Sequence, residues 1–212
     1  MAGAHVHALA RPRPWLLHAR ARGVPAALLG WVALAGVVAI GHGTADTPSD
    51  PVAAARAAVP VMAGTFAAVL AAGCLAGHDE LEETAPRAGP RWRLLHALAL
   101  AGLAVGLPAA GWLAAVDAAR GPGRLALVTV GLVGVAVTGA VLLGAARAWI
   151  LVLGHVMTGL VLAPVGVQGG PVRSLFVAVT WPGLPVGTPL VLAACATAAM
   201  GLLALAARTV RP

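Results

Sequence analysis

The chain has no lysine and no tyrosine, two phenylalanines, two cysteines and seven carboxylates in 212 residues. Each scarcity excludes something. Only 10% of the residues are charged, against about 25% in soluble domains, so a water-facing surface cannot be covered with solvated side chains. A soluble globular domain is excluded on that ground. Cys74 and Cys195 each sit inside an apolar segment, with no CxxC and no Cys/His cluster. That removes zinc and redox motifs and leaves both cysteines as expected buried small hydrophobes. No Walker A loop, GxSxG elbow or HExxH occurs, so the chain itself is read as no enzyme. No Asp or Glu falls within an apolar span, and Asp117 sits only at the end of one. Proton- and sodium-coupled transporters bury a carboxylate in the membrane, so ion-driven transport is disfavoured. The missing Lys and Tyr accompany abundant Ala, Gly, Arg and Pro, a GC-rich codon bias without functional content.

What is present is grease and arginine. The hydrophobic fraction is 60% and the mean hydropathy +0.91. The net charge of +7 comes wholly from fourteen arginines. They stand at the ends of apolar segments rather than in one patch, which is the pattern of membrane topology and not of phosphate binding. Nucleic acid is therefore not an expected partner, and membrane lipid is. The expected fold is an all-α polytopic membrane protein.

In chain order, residues 1–23 read as a cytoplasmic leader. Pro14 opens a short interfacial helix in which Trp15 suits the headgroup level and Arg20 and Arg22 face anionic headgroups. Residues 24–40 follow, longer than the apolar core of a cleavable signal, and are read as a retained first span. A polar loop is expected over 41–55, a second span over 57–77, a charged connection over 78–93, and a third span over 94–116. Residues 117–124 read as a tight polar turn. Residues 125–167 carry one charge, Arg147, and are too long for one crossing, so a turn near Ala145–Trp149 divides them into two spans. Pro and Gly break the segment 168–189, whose apolar piece Leu175–Val179 is too short to cross and either re-enters the membrane or lies on it. A last span over 190–207 and a cytoplasmic tail over 208–212 complete six spans within 24–207. With both termini inside, ten arginines flank the inner side and four, Arg56, Arg120, Arg124 and Arg173, the outer. Small-residue spacings such as Gly102/Gly106 and Ala35/Ala39 are read as ordinary helix packing.

The densest charge lies in the cytoplasmic connection. Asp79, Glu80, Glu82 and Glu83 are four of the seven carboxylates. Asp79 can cap a helix, with Glu82 three residues on, and acids in a first turn suit the helix dipole. Ala85 precedes Pro86, which stops the helix. Trp92 and Arg93 then anchor the re-entry at the interface. Among the seven histidines, His155 alone is well inside a span and is read as a packing residue. A haem pair could come only from His96 and His155, so a haem-binding electron carrier is the weakest of three functional readings.

Six spans, inner termini, an amphipathic leader, a short charged helix after span two and a broken segment before span six together resemble the permease subunits of ABC-2 type exporters. The motif carrying the resemblance is Glu80, Glu82, Glu83, Thr84, Pro86 and Arg87. It implies that a coupling helix of Asp79, Glu80, Leu81, Glu82, Glu83, Thr84 and Arg87 inserts into a separate ATPase subunit. It further implies a bacterial cell membrane, a homodimer or a heterodimer with a similar permease, and a hydrophobic or amphiphilic substrate. No cofactor is expected in this chain, ATP and Mg being held by the partner. The helix departs from the family in being shorter and more acidic, with Glu83 where Gly commonly precedes the Thr. The alternative reading is a non-transporting anchor or assembly subunit of a larger complex.

Overall fold

A computed structural model of the chain describes residues 22–43, 51–75, 90–115, 123–162 and 188–210. Among these there are six α-helices and no strand: α1 Val24–Gly43, α2 Pro51–Leu75, α3 Pro90–Ala115, α4 Gly123–Leu143, α5 Ala148–Leu162 and α6 Thr188–Val210. Two of them contain stretches long and apolar enough to cross a membrane, Leu95–Ala114 with mean hydropathy 1.8 and Gly123–Leu143 with 2.4. The apolar stretches of the other four are shorter, 10–17 residues.

Several boundaries differ from the sequence reading, for local reasons. The loop expected over 41–55 is narrower, because α1 runs to Gly43 and α2 starts at Pro51. A proline with its φ preset and no N–H to satisfy is a good first helical residue, and Pro90 opens α3 in the same way. Gly123 and Arg124, expected in a turn, form the start of α4. Residues 188 and 189, expected in the broken segment, already belong to α6. The remainder of that segment lies outside the described residues.

The turn inside the 125–167 run falls where it was expected. Gly144 takes φ +80°, and Ala145–Arg147 makes one 3-10 turn in which the Arg147 N–H donates to the Gly144 carbonyl at 3.0 Å. Ala148 and Trp149 are already helical. A Cβ at Gly144 would meet nothing within 4 Å, so the demand for glycine is purely conformational. Gly144→Ala is expected to cost roughly 1–2 kcal/mol. An unchanged denaturation midpoint in detergent would count against this turn.

Packing fixes the layout. α1 and α2 are antiparallel: the Trp31 indole N–H donates to the Ala67 carbonyl at 3.2 Å, and Gly30 faces Leu70. α2 presents small buried residues, Ala63, Ala67, Ala68, Ala71 and Ala72, which let its backbone come close to its neighbours. Gly64 of α2 lies against Val128, Thr129 and Leu132 of α4. Near the start of α4, Val38, Ala63 and Leu125 form a small separate cluster with Trp112 packed on it. α4 is the centre. It packs on α2, α3, α5 and α6, and twelve of its residues are buried.

Among the described side chains the helices show no polar face. α1 buries Ala27, Trp31 and Val38 and exposes Leu29, Val32, Val37 and Ile40. α5 buries Val152 and Val156 and exposes Ile150, Leu153, Met157 and Val161. Helices apolar all round belong to a protein interior or to lipid. Cys74 is buried as expected, whereas Cys195 is exposed on α6. That corrects its expected burial: α6 turns its 193, 194 and 197 positions toward the bundle and its 195 and 196 positions away.

Candidate functional site

The residues expected to carry the function, Asp79, Glu80, Leu81, Glu82, Glu83, Thr84 and Arg87, lie outside the described residues, as do Trp15 and Arg20. The structure does place the two ends of their connection. Leu75 closes α2 and Pro90 opens α3, and the 3-10 turn Ala145–Arg147 packs beside α2. Trp92 and Arg93 belong to the first turn of α3. Arg22, in the turn before α1, lies within electrostatic reach of Cys74 near the end of α2. One end of the bundle therefore gathers Arg22, the exposed Arg147 and both attachment points of the acidic connection.

Gly102 and Gly106 do not pack as expected. A Cβ at either would meet nothing within 4 Å, because both line an open groove of about 430 Å³ between α3, α4 and α6. Its walls are aliphatic, Leu98, Val105 and Val133 among them. The close crossings lie elsewhere. A Cβ at Gly134 of α4 would fall on the Thr197 carbonyl of α6, and one at Gly111 of α3 on the Ala35 carbonyl of α1.

Polar side chains converge at a different place. A cavity of about 480 Å³ between α4, α5 and α6 is lined by His155, Thr138, Thr158 and Thr197 together with apolar residues such as Ile150 and Met200. His155 is the middle residue of α5 and is 7% exposed, and Thr197 is 1% exposed. The Thr138 hydroxyl donates to the Gly134 carbonyl at 2.9 Å. The Thr197 hydroxyl donates to the carbonyls of Ala193 and Ala194 at 2.9 and 3.0 Å. Such back-bonding satisfies a hydroxyl proton within its own helix and fixes the rotamer. The oxygen lone pairs that remain are acceptors.

The sequence does not single out the threonines, and it reads His155 only as a packing residue. The available signal was the occurrence of hydroxyls in otherwise aliphatic runs, but nothing in the spacing says which of them share a cavity. His96 and His155 stand on α3 and α5, two helices that each pack on α4 but show no extensive packing on one another. Among the described residues no group of three or more His, Cys, Asp or Glu side chains could hold a metal ion. Compared with protein-family models, curated proteins and solved structures, the chain matches none.

Proposed function

We propose that the chain is the membrane subunit of an ABC-2 type exporter. Its six helices cross a bacterial cell membrane with both termini inside, and the acidic connection 78–93 engages a separate ATPase. The observation that carries the bilayer placement is the apolar character of the outward faces, from Leu29 and Ile40 on α1 to Leu192 and Leu203 on α6. In water these faces would drive association; in lipid they need no cover. Five helices have 20 residues or more, about 30 Å at 1.5 Å per residue, the thickness of the hydrocarbon layer. α5 is shorter, and its apolar sequence runs on to Val167. The arginines at the end bearing the acidic connection support its cytoplasmic placement.

On this reading, closure of a Mg-ATP-bound ATPase dimer pushes on the helix Asp79–Arg87 and the bundle rocks between two openings. Acidic groups meeting basic ones across that contact would make it salt-sensitive. The double reversal Glu82→Arg, Glu83→Arg tests it. Mg-dependent ATP hydrolysis is expected to co-purify with the unaltered chain in mild detergent and to be lost with the variant, while helix content by circular dichroism stays the same. Equal hydrolysis in both preparations would overturn the coupling role. Absence of any ATPase from the unaltered complex would favour an anchor or assembly subunit instead.

A further inference from the structure

The buried polar side chains among the described residues are Thr129, His155 and Thr197. Thr129 is accounted for by helix packing: its hydroxyl donates to the Leu125 carbonyl at 2.7 Å, and it lies against Gly64 of α2. The other two meet in the cavity between α4, α5 and α6, where Thr138 and Thr158 join them. The neighbouring groove between α3, α4 and α6 is of similar size and offers only aliphatic side chains. Two comparable hollows thus flank the α4–α6 pair, and polarity is concentrated in one. In a bundle surrounded by lipid an intramembrane histidine with hydroxyl neighbours marks a binding or transport position. Small-molecule sites share this form, about 300–1,000 Å³ of mostly apolar wall with a few convergent polar groups.

We propose that this cavity binds an uncharged amphiphile carrying a hydrogen-bond-donating head, a hydroxyl or an amide, on an apolar body. The head group follows from the hydroxyls. The protons of Thr138 and Thr197 are spent on backbone carbonyls, so these two residues offer acceptors, and a head group that binds to them brings the donor. The absence of charge follows from the wall. His155 is the one titratable side chain in the lining, with no Asp, Glu or Arg beside it, so an ionic head would sit in low dielectric without a permanent counter-charge. Ile150, Leu151, Val135 and Met200 take the apolar body. Gly154 lines the space too, and a Cβ there would meet nothing within 4 Å. A Cβ at 154 therefore enters open space beside the cavity without striking the fold. The inference takes from the proposed function only the bilayer placement, and the ATPase has no part in it.

The test uses the full chain in phosphatidylcholine vesicles with three diazirine-bearing probes of one chain length: an alcohol, a carboxylic acid and a hydrocarbon. The alcohol is expected to cross-link residues of α5 and α6 around His155 and Thr197, with the acid and hydrocarbon labelling only outward faces. Competition by diacylglycerol mixed into the vesicles identifies a lipid ligand, and competition by aqueous 1-hexanol a soluble one. Gly154→Leu is expected to abolish the cavity cross-link. The isosteric pair Thr138→Val, Thr197→Val is expected to weaken it about three- to tenfold, the worth of a neutral hydrogen bond. Equal labelling by all three probes, or an undiminished cross-link in the threonine pair, overturns the site. A chain that fails to float with the vesicles overturns the bilayer placement as well.

Discussion

Gly134→Leu is expected to prevent α4 and α6 from packing and to remove most of the stability of the bundle. A Cβ at 134 would lie on the Thr197 carbonyl, with its carbon at 2.5 Å and the Ala198 nitrogen at 2.6 Å. These are backbone atoms of a helix, so no rotamer change can make room. The contact is also reciprocal, since a Cβ at Gly201 would come within 2.7 Å of the Gly134 carbonyl oxygen. Relief requires the two helices to separate along the crossing, which pulls Gly201 away from the buried Val137. Inserting bulk into a packed core costs about 1–3 kcal/mol when side chains can adjust. With backbone against backbone the loss should exceed that range, against a total stability of about 5–15 kcal/mol. Thermal unfolding in detergent, followed by circular dichroism, gives the measurement. Gly102→Ala supplies the contrast: with nothing within 4 Å of its Cβ, it should gain roughly 0.5–1 kcal/mol from a better helix former. If the two variants melt alike, the crossing is wrongly placed.

Trp31→Ala should be the next most damaging change. Trp31 is fully buried and ties α1 to α2 through its indole N–H and the Ala67 carbonyl at 3.2 Å. Truncating a buried Trp costs about 3–5 kcal/mol in soluble cores. On the proposed bilayer placement the unfolded helices remain in an apolar solvent, so the transfer share shrinks and the cavity share persists. The expected loss is therefore near the lower end, about 3 kcal/mol. Trp31→Phe separates the terms. It keeps most of the ring and loses only the donor, at about 1 kcal/mol, because a carbonyl within a helix still has its backbone partner. Equal losses for Ala and Phe would mean that the hydrogen bond, not the packing, holds α1 in place.

These residues show how far the sequence could be read. Helices and their order follow from apolar runs punctuated by Pro, Gly and Arg, and the Gly144 turn lay where a run too long for one crossing had to break. What could not be read is rotation about each helix axis. A water-facing helix betrays its inward side by putting polar residues on the other. Here Leu29 and Trp31 are equally apolar, yet one faces out and the other is fully buried. For the same reason Gly102 and Gly106 looked like packing glycines and proved to line an open groove, while Gly134 and Gly201, unremarked, carry the tightest crossing. Cys195 was expected inside and stands outside. The acidic connection was conspicuous because charge is rare in this chain. The α4–α6 cavity was not, because its four polar residues come from three separate helices and only folding brings them together.

The place of α4 also bears on how the protein is made. Its most extensive packing partner is α6, which follows it in the chain only after α5 and the segment 163–187. The seam between Gly134 and Thr197 thus closes across a long stretch of chain, with the loop-closure entropy that such a contact carries. Until then the nascent protein holds its central helix with the flank bearing Gly134 uncovered. The arrival of α6 is therefore a sealing step: it covers the glycine face of α4 by which an unfinished copy could be captured by a neighbour.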